Sequence, residues 1–344
     1  MIRKLYSFLS APLAHGIALA GLVLAAPAGA ECLGANLLDQ MAEAERDALL
    51  TAAEAVPYPR GNFWQAEKDG VTLTLIGTYH LDDPRHQAAL DRFGPLVAKA
   101  SRLLVEAGPD EEKALVDKMA RDPSVLTITD GPSLLEQLPP EVWQDLVIAA
   151  SARGMPGFML AKFRPWYVTV LLSIPPCALD LAAQPKGLDG QLVDIALAAD
   201  VPVQALEPYD TVFRVFDTMT PQEQVDMVVQ ALSMEDRITD FSVTLADSYF
   251  AGDNRLMWEL MRKESYAMPG YTRAQVDAEM ARMEEVLMAG RNRGWIPVIE
   301  AAAAEAPADA PLVAAFGALH LSGDEGVLNL LAGRGWTITQ IALP

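Results

Sequence analysis

Residues that could do chemistry collect at the ends of four short apolar runs. Leu73-Thr74-Leu75-Ile76-Gly77-Thr78-Tyr79-His80 and Val313-Ala314-Ala315-Phe316-Gly317-Ala318-Leu319-His320 share one design: an apolar run, a glycine, and a histidine three residues later. Histidine is scarce, His15, His80, His86 and His320 being the full set, so the matched placing of two of them carries weight. Two further runs, Leu103-Leu104-Val105-Glu106 and Val203-Gln204-Ala205-Leu206-Glu207, end on a carboxylate. Neutral imidazole and carboxylate are ligands for zinc, manganese, cobalt or iron, and two histidines with one carboxylate leave positions open for water. A divalent cation held this way lowers the pKa of its water and polarises a carbonyl, which is what hydrolysis needs. Asp82, two residues past His80, and His86 are candidates for further ligands or for a supporting shell, and Glu207 or Asp82 for the general base. Plainer roles compete with these. A lone histidine at a strand end is more often a hydrogen-bonded structural residue, and Glu207 could equally cap a helix or pair with an arginine.

For these side chains to meet, the four runs must be neighbouring strands. A continuous apolar run is the pattern of a strand buried on both faces of a parallel sheet, and open α/β sheets place ligands beyond the carboxyl ends of their strands. The rest of the chain supplies the layers. A strand over residues 61–67 turns through Lys68-Asp69-Gly70 into the first histidine strand. Helices are expected from Asp83-Pro84 to Ala100, from Pro139-Pro140-Glu141, from Pro165, and from Gln191 to Ala199, and Pro202 argues that the strand Val201 to Glu207 lies at an edge. Residues 218–304 read as wholly helical, with a capping box at Thr220 to Glu223 and a helix capped by Thr272 and closed by Gly290. Arg291-Asn292-Arg293 then reads as a solvated helix end, or functionally as a grip on a substrate carboxylate, and Ala301 to Pro311 as a small-residue linker. A helix from Asp324 to Ala332 and a strand from Trp336 to Leu343 finish the chain. The expected fold is mixed α/β, a largely parallel central sheet flanked by helices. It forms one domain over 31–344 with a helical insertion at about 218–304.

Residues 1–30 read as a secretory signal peptide, with Arg3 and Lys4 ahead of an apolar Ile17 to Ala26 and an Ala28-Gly29-Ala30 cleavage site. The product is expected in the periplasm or secreted, with no stable membrane insertion, since no later apolar run approaches the length of about 18 residues that spans a bilayer. Of 26 basic residues two leave with that segment, against 46 acidic ones, so the mature chain carries about −22. Such a field repels nucleic acid and would concentrate divalent cations. Cys32 and Cys177 are the two cysteines, and an even number in an oxidising compartment points to a disulfide. Sequence patterns for a nucleophile elbow, a Walker loop, an H-E-x-x-H helix or a dinucleotide fingerprint are missing.

Gly77-Thr78-Tyr79-His80-Leu81, Val105-Glu106, Ala205-Leu206-Glu207, Arg291-Asn292 and Phe316-Gly317-Ala318-Leu319-His320-Leu321-Ser322-Gly323 with Gly326-Val327-Leu328 together resemble the TraB/PrgY/GumN family, of which animal Tiki proteins are distant relatives. The resemblance runs from about Trp64 to the end. It implies a fold similar to erythromycin-esterase-like and ChaN-like proteins and, by analogy with the Tiki branch, a metal-dependent peptidase centre at His80, His320 and Glu106. Two further functions stay open: an esterase using the same centre, and a non-catalytic protein that sequesters a peptide or other small molecule along the methionine-rich helices.

Overall fold

A computed structural model describes residues 32–183, 186–267, 271–307 and 310–343; the expected signal peptide lies outside them. Among the described residues the strands β1 (Phe63–Lys68), β2 (Val71–Thr78), β3 (Arg102–Val105), β4 (Val203–Ala205), β5 (Leu312–Gly317) and β6 (Thr337–Gln340) form one sheet in the order β4-β3-β5-β2-β1-β6. β4, β3, β5 and β2 run parallel, and β1 is antiparallel to both β2 and β6. The mixed, mostly parallel sheet read from the sequence is therefore present, and β4 takes the edge that Pro202 indicated. The β1–β2 hairpin closes through Asp69 (φ 52°) and Gly70 (φ 81°), a two-residue turn with both central residues at positive φ, which matches strand twist.

The contacts divide the chain into two compact units. One takes residues 35–115, 186–219 and 243–344 and holds the sheet. Its strands alternate their side chains between two cores. Leu73, Leu75, Leu104, Ala314 and Phe316 pack with Trp295, Ile299 and Leu328, while Ile76, Leu103, Val105, Val313 and Ala315 pack with Phe93, Val97, Leu188 and Leu192. β5 is buried along its length because helices cover both faces, hence its uninterrupted apolar sequence.

Of the described residues, the other unit takes 32–34, 116–183 and 220–242. Leu134, Leu146, Leu160, Val168, Leu171, Leu172, Val225 and Val228 make its core. Cys32 and Cys177 are joined there, Cα atoms 5.3 Å apart across 145 positions of sequence. The helical stretch expected at 218–304 is thus split, 220–242 falling in this unit and 243–304 in the sheet unit.

Two sequence expectations fail in one place, and the failure matters for the site. Gly290 does not close the helix capped by Thr272. The helix Arg273–Glu284 passes through a π turn, Glu285–Ala289, straight into the helix Gly290–Glu305. Ala301 to Glu305 are accordingly helix, not linker. Glycine is a common helix stop, but the Gly290 N–H still bonds the Glu285 carbonyl five residues back.

Candidate functional site

Strand register brings the site together. In the parallel pairs Thr78 lies opposite Gly317 and Val105 opposite Ala315, so β2 and β3 flank β5 and all three exit on one side. His80, two residues beyond β2, and Glu106, the residue after β3, therefore reach the exit of β5 from opposite sides. Gly317 lies between them. A methyl group on Gly317 would sit 3.1 Å from Glu106 Oε1, 3.4 Å from His80 Nε2 and 3.7 Å from His320 Cδ2. Three of the four candidates thus surround one small space, which glycine keeps open.

Each histidine is fixed through Nδ1. His80 Nδ1 lies 3.3 Å from Asp189 Oδ2, with the imidazole 60% exposed. The Asp189 carboxylate lifts the His80 pKa to about 9 against the desolvation that opposes it, with a further bond to Asp189 and the charge of Glu106 adding to the rise. Water at the exposed ring screens part of that field. His320 is buried and lies against the Trp295 ring, centroids 4.3 Å apart. Both hydrogens of the Asn292 amide go to carbonyls, those of His320 and Glu325, so its oxygen accepts from His320 Nδ1 at 2.6 Å and leaves Nε2 without a proton. Burial brings the His320 pKa down to about 3; Glu106 opposes that and Arg291 reinforces it. His320 is a neutral imidazole at pH 7.

Glu106 takes the Gly317 N–H on Oε1 at 2.6 Å and Arg291 Nη2 on Oε2 at 2.7 Å. Burial favours its neutral form, but His320, His80, Arg291 and the Gly317 N–H outweigh that and bring the pKa to about 2. Oε1 stands 3.9 Å from His320 Nε2.

Glu207 has a different role from the general base expected of it. Arg291 binds it through two nearly parallel bonds, Nε to Oε2 at 2.9 Å and Nη2 to Oε1 at 2.7 Å, and Trp295 Nε1 adds a third at 3.0 Å. This is the arginine pairing the sequence left open. Arg291 also donates through Nη1 to the Leu287 carbonyl and, at 3.2 Å, to His320 Nε2. A guanidinium has five N–H groups, and these contacts with the one to Glu106 occupy all five. Neither Arg291 nor Asn292 keeps a donor for a substrate carboxylate, so both work by holding the site's own residues. The helix Gly290–Glu305 delivers Arg291, Asn292 and Trp295 together, directly after the π turn.

Asp82 is exposed, and the carboxylate beside His80 is Asp189 instead. His86 is buried among aromatic rings, with Nε2 3.0 Å from the Leu81 carbonyl, so it braces the loop after His80 and is no ligand candidate. Asp189 was missed because the helix was started at Gln191. It begins at Leu188, where Leu188, Leu192 and Ala196 already recur at helical spacing.

These contacts bear on whether the site suits a divalent cation. Both histidines have Nδ1 tied to a side-chain oxygen with Nε2 directed elsewhere, which is how metal-binding histidines are held, and an ionised carboxylate oxygen faces the same space. The opposing feature is Arg291, whose Nη1 covers His320 Nε2. Among the described residues no three His, Cys, Asp or Glu side chains form a finished metal cage. The donor types and the open Gly317 position fit a divalent cation, provided Nη1 yields Nε2.

Two expected outcomes follow from the geometry. Gly317 has φ −50° and ψ 131°, which alanine adopts freely, so Gly317→Ala should fold with a stability loss of about 1–3 kcal/mol from overpacking while blocking whatever binds between Glu106 and His80. Thermal melting and Co(II) titration read the two effects separately, and undiminished binding would mean the space is unused. The second concerns pH. An unfolded histidine titrates near 6.5 and His320 near 3, so between those values only the unfolded chain takes the proton. Metal-stripped protein should therefore lose stability as pH falls from about 6.5 toward 3, with Glu106 adding to the loss below about 4.5. His80, raised in the fold, contributes stability below 6.5 that is lost as pH rises toward 9. Urea midpoints across pH should show the acid-side fall, and His320→Gln should flatten it between 6.5 and 4.5.

A family model for TraB/PrgY/gumN matches residues 62–340. The chain belongs to the TraB/PrgY/gumN family. The match begins just before β1, ends on the last residue of β6, and includes every site residue named above. No curated protein gives a significant match. Among the described residues no helix of this family member is long and apolar enough to cross a membrane.

Proposed function

We propose that this TraB/PrgY/gumN protein is an exported, metal-dependent hydrolase, with peptides as the first substrate class to test and with His80, Glu106 and His320 as its centre. The observation that supports it is the meeting of His80 Nε2, Glu106 Oε1 and the His320 ring around the space above Gly317. Those three residues would hold a divalent cation, manganese, cobalt, zinc or iron, and such a cation, when bound, lowers the pKa of a water and polarises a carbonyl. The chain's own residues set the conditions. Glu106 is ionised and supplies the negative charge; His320 is neutral, so its Nε2 carries no proton at pH 7 and becomes a donor once Arg291 Nη1 withdraws from it. Asn292 and Asp189 orient the two rings. Glu207 fixes Arg291, which in turn holds the second oxygen of Glu106. Export accords with the Cys32–Cys177 disulfide and with the reading of residues 1–30.

The bond from Arg291 Nη1 to His320 Nε2 favours a second reading, a metal-free hydrolase. There His80, backed by Asp189, takes the proton of the attacking water, and Arg291 is the resident cation. The rate would then climb as pH approaches about 9, where His80 becomes neutral. Elemental analysis after dialysis against chelator, followed by peptide and ester panels with and without added metal, separates the readings. Stoichiometric metal absent from folded His80→Ala and His320→Ala supports the first. Turnover without metal supports the second. Peptide binding without turnover, unchanged in both variants, would replace either by a sequestering role.

A further inference from the structure

We infer that Asp189 is the positioning residue of the centre, holding His80 through Nδ1 so that Nε2 is turned toward the space above Gly317 and is the nitrogen left bare when the ring is neutral. The inference rests on the reading that this space is where the protein works, and it applies whether or not a metal is used.

The local construction is specific. Asp189 sits in the first turn of the helix Leu188–Ala198, and that helix start is clamped onto the exit of β2 by backbone alone. The Leu188 N–H donates to the Tyr79 carbonyl at 3.0 Å. Gly187 approaches so closely that a Cβ on it would lie 2.4 Å from the His80 carbonyl carbon and from the Tyr79 oxygen. No other residue type fits there, so the carboxylate is set against His80 by main-chain contacts and does not depend on a flexible side chain to find it. The helix N-terminus also favours a negative charge at this position.

The chemistry of the two supports differs. Asn292, a neutral amide, orients the buried His320, whereas a full carboxylate orients the exposed His80. An exposed imidazole would otherwise sample both tautomers and several rotamers, and a histidine side chain in water prefers to protonate Nε2. One acceptor at Nδ1 removes both freedoms. Only one oxygen of Asp189 is engaged by His80; its Oδ1 is buried with no hydrogen-bond partner among the described residues, a cost that a purely stabilising carboxylate would not carry.

Two substitutions separate orientation from charge. Asp189→Asn keeps an acceptor oxygen, and Asp189→Ala removes it. Imidazole ¹⁵N–¹H spectra of histidine-labelled protein, with His80 assigned through His80→Ala and recorded at alkaline pH, report which nitrogen carries the proton. Wild type and Asp189→Asn should show it on Nδ1 and Asp189→Ala on Nε2, with circular dichroism unchanged. Co(II) titration of the same proteins should show affinity roughly 10–100-fold weaker in Asp189→Asn, the usual effect of altering a ligand's supporting partner. If Asp189→Ala keeps the wild-type tautomer, the assignment of Asp189 is wrong, even where Co(II) still binds. If wild type takes up no Co(II) while the tautomer changes as described, Asp189 stands and the metal reading falls.

Discussion

On the proposed hydrolase function, Glu106→Gln is expected to lower turnover by about 10³-fold, the scale on which a charged group at a hydrolytic centre acts. The replacement keeps the shape, and Oε1 can still accept the Gly317 N–H. What changes is Oε2, now an amide nitrogen facing Arg291 Nη2, donor against donor. Among the described residues the centre loses the carboxylate that faces the open space, and Glu207 is left as the one carboxylate on Arg291. A stability loss of about 1–3 kcal/mol should accompany this, from one partly buried bond broken without a replacement. Glu207→Gln makes the same charge change on the far side of Arg291. It should weaken the fold at least as much, because a bidentate pair and the Trp295 bond both depend on that carboxylate, yet leave more turnover. Measuring kcat and urea midpoints for both variants checks the division. Equal loss of turnover in the two would mean that Glu106 acts only as a partner of Arg291.

The second large effect is expected in the other unit, the one that holds the disulfide. Reduction, or Cys177→Ser, opens a loop closed across 145 positions, for which chain entropy alone gives about 5 kcal/mol, with measured disulfides usually delivering 2–5. The unit concerned is helical, with a core of modest side chains such as Leu134, Leu146, Leu171 and Val228. A loss of this size is a large share of the stability of an ordinary domain. Thermal and urea midpoints with and without reductant measure it. A shift below about 1 kcal/mol would show that the bond ties down the N-terminal segment and little else.

Much of the sheet was legible because its signals are local. The Asp69-Gly70 turn, the apolar runs of β2 and β5, and Pro202 at the edge each carry their reason in a few residues. His80, Glu106 and His320 could be singled out on the same basis, as polar residues at strand exits. Their partners were legible only in part. Asp189 and Arg291 reach the site from helices, and which helical residue faces a strand exit depends on where the helix begins and on its phase. A helix taken from Gln191 leaves Asp189 outside it, and a helix stopped at Gly290 turns Arg291 toward a substrate carboxylate and away from Glu106 and Glu207. Glu207 looked like Glu106 in sequence, and what separates them is that Arg291 covers both oxygens of one and a single oxygen of the other. The division of the helical stretch near residue 242 left no composition signal, because both parts are amphipathic helix.

The π turn at Glu285–Ala289 has a consequence for how this chain can change. An α-helix advances about 100° per residue, so the one surplus residue in that turn decides which way everything after it points. Arg291, Asn292 and Trp295 face their partners only with that residue present. The segment is therefore constrained in its length as well as in its side chains. A single deletion between the Thr272 cap and Arg291 could preserve every named residue and still leave two carboxylates and an imidazole without the cation that joins them.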